Sequence, residues 1–111
     1  PRRRRRRNAF GLIQEYCTKL KNFMDTLKFL AQFSKIEDYL ISIAPAFDKK
    51  QGIFLLIQYL QSENLITDSI ASDLDDILQL RNKIVNSQIG KFILTLEDID
   101  KIQKIKQVLN I

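Results

Sequence analysis

No histidine occurs in this chain, and it holds one cysteine, two prolines and three glycines. Without an imidazole, the commonest general base, nucleophile activator and metal ligand are all missing. A lone thiol at Cys17 excludes an internal disulfide framework and leaves a zinc site almost nothing to draw on. No stretch reaches the roughly 18 uninterrupted apolar residues that a membrane span requires. Scarce glycine and proline leave little material for hairpins. These absences leave binding, assembly, or a catalytic fold that has lost its catalyst. Neither a metal nor a cofactor is expected.

What is present suits one small domain: 111 residues, 45% of them hydrophobic, are enough for a core and argue against disorder. The net charge of +5 is unevenly placed. Arg2, Arg3, Arg4, Arg5, Arg6 and Arg7 carry six positive charges, so removing them from +5 leaves −1 for everything after residue 7. The division expected is therefore a basic arginine tail over 1–7 and a nearly neutral domain over 8–111. That domain lacks the general basic face of a duplex-binding protein.

Hydrophobic spacing predicts helices throughout. Phe10, Ile13, Tyr16, Cys17, Leu20, Phe23, Met24, Leu27 and Leu30 recur at three and four residues, the mark of one long amphipathic helix. Ser34-Lys35-Ile36-Glu37 reads as a capping box opening a second helix, with Ile36, Tyr39, Leu40 and Ile43 inward and Pro45 as its stop. Ile53 to Leu60 suits a buried strand or a buried helix by periodicity, and the helical context favours the helix. Thr67 or Asp68 caps a further helix with Ile70, Leu74, Ile77, Leu78, Ile84 and Val85 on one face. Ser87 to Leu94 reads as a loop. Thr95 caps the last helix, with Leu96, Ile99, Ile102, Ile105 and Leu109 as its stripe. The expected fold is all-α, a single up-down bundle of four to five helices.

Arg81 is the most informative residue of the folded part. It is the only arginine after residue 7, although 11 lysines serve elsewhere. By helical phase it lies at the centre of the Leu74–Val85 apolar stripe, where an unsatisfied guanidinium is costly. Either it snorkels or pairs with Glu15, Glu37 or Asp38, or it is held at an interface or pocket. Asp68, Asp73, Asp75 and Asp76 invite a metal-cluster reading, but their phases suit solvated faces and first-turn dipole partners. Cys17, on the apolar stripe, reads as a core thiol, and Tyr16, Tyr39 and Tyr59 as core-edge residues.

The segment Leu78-Gln79-Leu80-Arg81-Asn82-Lys83-Ile84-Val85-Asn86-Ser87 resembles the signature helix of the HEPN superfamily. In that family an Arg, commonly followed by a polar residue such as Asn, precedes a His by four to six positions. The resemblance extends over roughly residues 10 to 110, from the long first helix to the helix opening at Thr95. It implies a dimer whose interface gathers the Arg and His of two subunits, and metal-independent RNA cleavage there. Arg81 and Asn82 match this pattern. Asn86, Ser87 and Gln88 stand where the histidine belongs, and an amide cannot exchange a proton near neutral pH.

The leading expectation is a non-catalytic HEPN-like module, binding RNA, a nucleotide or a protein as a homodimer, with Arg81, Asn82 and Asn86 as its site. One alternative is a toxin-type endoribonuclease of the same family, inactivated by Asn86 in place of His. Another is a structural domain tethered by its tail. The Arg2–Arg7 tract suits RNA or DNA phosphates, the anionic face of a membrane, or no partner at all. Six like charges at a helix N-terminus oppose its dipole, so an ordered tract predicts partner contacts. The start at Pro1 reads as a processed or truncated chain. The expected compartment is the cytoplasm, free or as the cytoplasmic part of a membrane-anchored protein.

Overall fold

The computed structural model describes residues 2–87 and 92–111, with side chains from residue 11 onward. All regular structure in these residues is helical: α1 over Arg2–Ser42, a 3-10 turn over Lys49–Gln51, α2 over Ile53–Ser62, α3 over Asp68–Asn86 and α4 over Leu96–Leu109. The fold is the all-α bundle that the hydrophobic spacing predicts. Residues 88–91, half of the expected Ser87–Leu94 loop, lie outside the described residues.

The first two expected helices are one. α1 runs 41 residues without a break, about 61 Å at 1.5 Å per residue. Ser34 is an exposed position within it and caps nothing. The reason is phase. Phe29, Phe33, Ile36 and Leu40 are all buried and follow one another at steps of four, three and four, so a break at Ser34 would throw half of them off the core. A Ser-x-x-Glu sequence is compatible with a helix interior, and here burial of four large side chains decides.

The stripe expected to face the core mostly does not. Leu12 through Lys21 are all exposed, and so are Met24 and Leu27. Cys17 is an exposed thiol rather than a core one, and Tyr16 lies out in solvent instead of at a core edge. The bundle begins at Thr26, a buried hydroxyl satisfied by donating to the Asn22 carbonyl at 2.8 Å. Before that point α1 is an arm, which gives the molecule its extents of 68 × 26 × 18 Å.

The remaining helices pack on the C-terminal half of α1. α1 touches α2, α3 and α4, while α2 packs on α3 and α3 on α4. The core draws Leu56, Ile57 and Leu60 from α2, Leu74, Ile77, Leu78 and Ile84 from α3, and Ile102 and Ile105 from α4. Val85 and Leu96, expected on inward stripes, are exposed. Val85 is the last residue but one of α3 and Leu96 the first of α4.

Local chemistry sets the boundaries. α1 ends at Ser42, three residues short of Pro45, and Phe47 then packs on Tyr59 with ring centroids 5.3 Å apart. Gly52 adopts φ +92° between the 3-10 turn and α2, a conformation that costs a residue with a Cβ. Thr67 caps α3 by accepting from the Ile70 N–H. At α4 the Thr95 hydroxyl accepts from the Asp98 N–H while the Asp98 carboxylate accepts from the Thr95 N–H, each at 3.1 Å.

Two stability tests follow from this packing. Leu60→Ala removes a fully buried side chain and is expected to cost about 2–5 kcal/mol in urea unfolding, whereas Tyr16→Ala on the arm costs well under about 1 kcal/mol. Thr95→Ala breaks the reciprocal cap and is expected to cost about 1 kcal/mol.

Candidate functional site

Arg81 lies in the last turns of α3, half-buried against α1. Its guanidinium carbon sits 5.2 Å from the centroid of the Phe33 ring, within cation–π range. One guanidinium nitrogen also donates to the Asn82 side-chain oxygen at 3.1 Å. The guanidinium is therefore held between an aromatic face of α1 and the neighbouring amide. This replaces the ion pair considered from sequence: among the described residues no salt bridge involves Arg81, and Glu15 lies out on the exposed arm.

Asn86 is exposed at the end of α3, about 7.5 Å along the axis from Arg81. Ser87 closes the helix, its hydroxyl donating to the Ile84 carbonyl at 3.1 Å. Arg81 and Asn82 are thus brought into contact, while Asn86 stands a turn further on. Gln88 lies outside the described residues. Phe33 is the partner that sequence reasoning missed. Its stripe spacing was visible, but contact with Arg81 depends on how α1 and α3 pack.

Three of the four acidic residues of α3 have separate local partners. Asp68 accepts from Gln61 at 3.0 Å, Asp75 from Gln79 at 3.5 Å, and Asp76 pairs with Lys101 of α4 at 2.8 Å. Among the described residues no group of three His, Cys, Asp or Glu side chains could hold a metal ion. A cleft of about 130 Å³ opens between α1 and α4, lined by Asp25, Lys28, Phe29 and Gln32 on one side and Ile99 and Gln103 on the other. Its volume falls below the usual range for small-molecule sites.

The hydrogen bond from Lys101 to Asp76 holds the lysine above its ordinary value of 10.5. A raised folded-state value means the pair contributes fully below the unfolded lysine's titration and fades as pH rises through the folded one. Both side chains are more than a third exposed, so the expected contribution is below about 1 kcal/mol. Asp76→Asn is accordingly expected to lower stability slightly at pH 7 and to make no difference once Lys101 is neutral in strong alkali, as read by urea unfolding at the two pH values.

The other notable surface is the outer face of α1. Leu12, Ile13, Tyr16, Leu20, Met24 and Leu27 are large, apolar and exposed. Counting 100° per residue, the core positions 26, 29, 33, 36 and 40 span about 80° of the helix circumference. Positions 13, 16, 20, 24 and 27 span another 80° or so, centred about 160° away. α1 is apolar on two nearly opposite sides, and only one of them is covered.

No family model, curated protein or solved structure matches this chain. Among the described residues no helix is long and apolar enough to cross a membrane.

Proposed function

We propose that this chain is a non-catalytic binding module, HEPN-like in build, that works by docking to a macromolecular partner rather than by turning over a substrate. The observation that supports it best is the uncovered apolar face of α1. Monomeric soluble domains seldom leave a continuous row of large apolar side chains in water without using it. Here the row lies on an arm that contributes little to the core, so burial within the fold does not account for it. The HEPN-like pattern supports the non-catalytic half of the reading, since Arg81 and Asn82 are present and an amide occupies the proton-transfer position at Asn86.

A second reading concerns Arg81 itself. Its guanidinium is oriented by Phe33 and Asn82 and is not neutralised by a carboxylate among the described residues. Donors arranged in this way suit a phosphate or carboxylate group. RNA is the ligand class that the HEPN-like pattern favours for them.

The docking reading predicts that the outer face is dispensable for folding. The triple variant Ile13→Gln, Leu20→Gln and Leu27→Gln should unfold within a few degrees of the parent in dilute solution, by circular dichroism. Collapse of the bundle in this variant would assign the stripe to the fold and sink the proposal. Incubation with labelled single-stranded RNA in EDTA should give no cleavage by the parent chain. Cleavage above a blank would overturn the non-catalytic assignment.

A further inference from the structure

A groove runs along the α2–α3 pair, and among the described residues only these two helices line it. Phe54 and Ile57 of α2 and Ala71 of α3 give it an apolar wall and floor, and Asp68 and Asp75 edge it on the α3 side, around a hollow of about 290 Å³. Ile57 and Ala71 are buried at its base, whereas the Phe54 ring is 51% exposed. The two carboxylates are seven residues apart, so they share one face of α3 at about 10.5 Å along its axis. Gln61, near the end of α2, donates to Asp68 at 3.0 Å and marks one end of the groove. The short connection over residues 63–67 turns α3 back along α2. Seven residues before Gln61 is Phe54 and seven after Asp68 is Asp75, so these two flank the other end.

Charge in this part of the chain has one sign. Residues 51–80 hold Glu63, Asp68, Asp73, Asp75 and Asp76 but no lysine or arginine. Asp76 is met by Lys101 of α4, and Asp73 also bears on that lysine. At the groove the partners of Asp68 and Asp75, among the described residues, are the amides of Gln61 and Gln79. An amide orients a carboxylate without neutralising it. Two like charges thus flank an exposed aromatic ring, on a surface that repels nucleic-acid phosphates and anionic lipid.

We propose that this groove docks a basic helical segment of another protein, with two cationic side chains seven positions apart and an apolar one between them. A helix laid along α3 presents positions i, i+4 and i+7 on one face. Its two cations reach Asp68 and Asp75, and the apolar side chain settles over Ile57 and Ala71. An arginine suits the Asp75 end, where a planar guanidinium pairs with the carboxylate and lies against the Phe54 ring. Covering that ring adds apolar burial that exposed ion pairs alone do not supply.

The chain's own arginines lack this spacing. Arg2 and Arg7, the outermost of their run, are five positions apart with no apolar residue between them. They offer no pair two helical turns apart. The groove is also separate from the outer face of α1, so its failure as a site would leave the docking reading of that face untouched.

The test is a titration of the full chain into a fluorescein-labelled, alanine-based helical peptide at low salt. The peptide carries two arginines seven positions apart and a leucine four after the first. Saturable binding is expected. A control peptide of the same composition with its arginines five apart, on nearly opposite faces, should bind about tenfold more weakly. Asp68→Asn/Asp75→Asn should weaken the first peptide about tenfold, with thermal unfolding by circular dichroism within a few degrees of the parent. Phe54→Gln should also weaken it, with every charge retained. If the double variant unfolds, Asp75→Asn alone, away from the α3 cap, gives the same reading at about threefold. No saturable binding, equal binding of the two peptides, or full binding by the asparagine variants would overturn the proposal. Binding that appears only once residues 1–7 are removed would assign the groove to the chain's own arginines and overturn it too.

Discussion

Everything in this molecule hangs on the phase of one helix. Phe29, Phe33, Ile36 and Leu40 form a single line on α1 and lie fully inside the bundle, so the rotation of α1 about its own axis is fixed where the other helices grip it. A helix this long transmits that rotation along its length. Once the inner line is buried, the direction of residues 11–25 on the projecting arm follows at 100° per residue. The arm's apolar row faces solvent because the core has claimed the other side.

This arrangement separates two tasks that small domains usually combine. The core is made from half of α1 and three shorter helices, joined by well-formed caps and, among the described residues, one ion pair. None of residues 12–21 belongs to the buried core, and all of them are exposed. The arm is held rigid by being continuous with a helix that the core anchors. Helices in proteins draw most of their stability from packing rather than from propensity, so the bundle is what presents the arm in a defined shape.

Much of this was legible in the sequence, and the errors have physical causes. The helical class, the cap at Thr95 and the inward residues Leu74, Ile77, Leu78 and Ile102 followed from spacing and capping chemistry. Ser34 suggests a break that the helix does not make, because Ser-x-x-Glu occurs both at helix starts and within helices. Only the four-three-four run from Phe29 to Leu40, crossing that point in phase, distinguishes them. Cys17 and Tyr16 look like core residues in the sequence because periodicity reports that a face is apolar, not what covers it. Arg81 stood out by its phase, but its partner Phe33 is distant in sequence and becomes its neighbour only through the packing of α1 against α3.

The stacking of Arg81 on Phe33 has a consequence for how the two surfaces relate. Phe33 belongs to the inner line of the same rigid rod whose outer line carries the stripe. The guanidinium thus sits against the inner side of α1, roughly opposite by phase to the row that faces solvent, so the two surfaces can be altered one at a time.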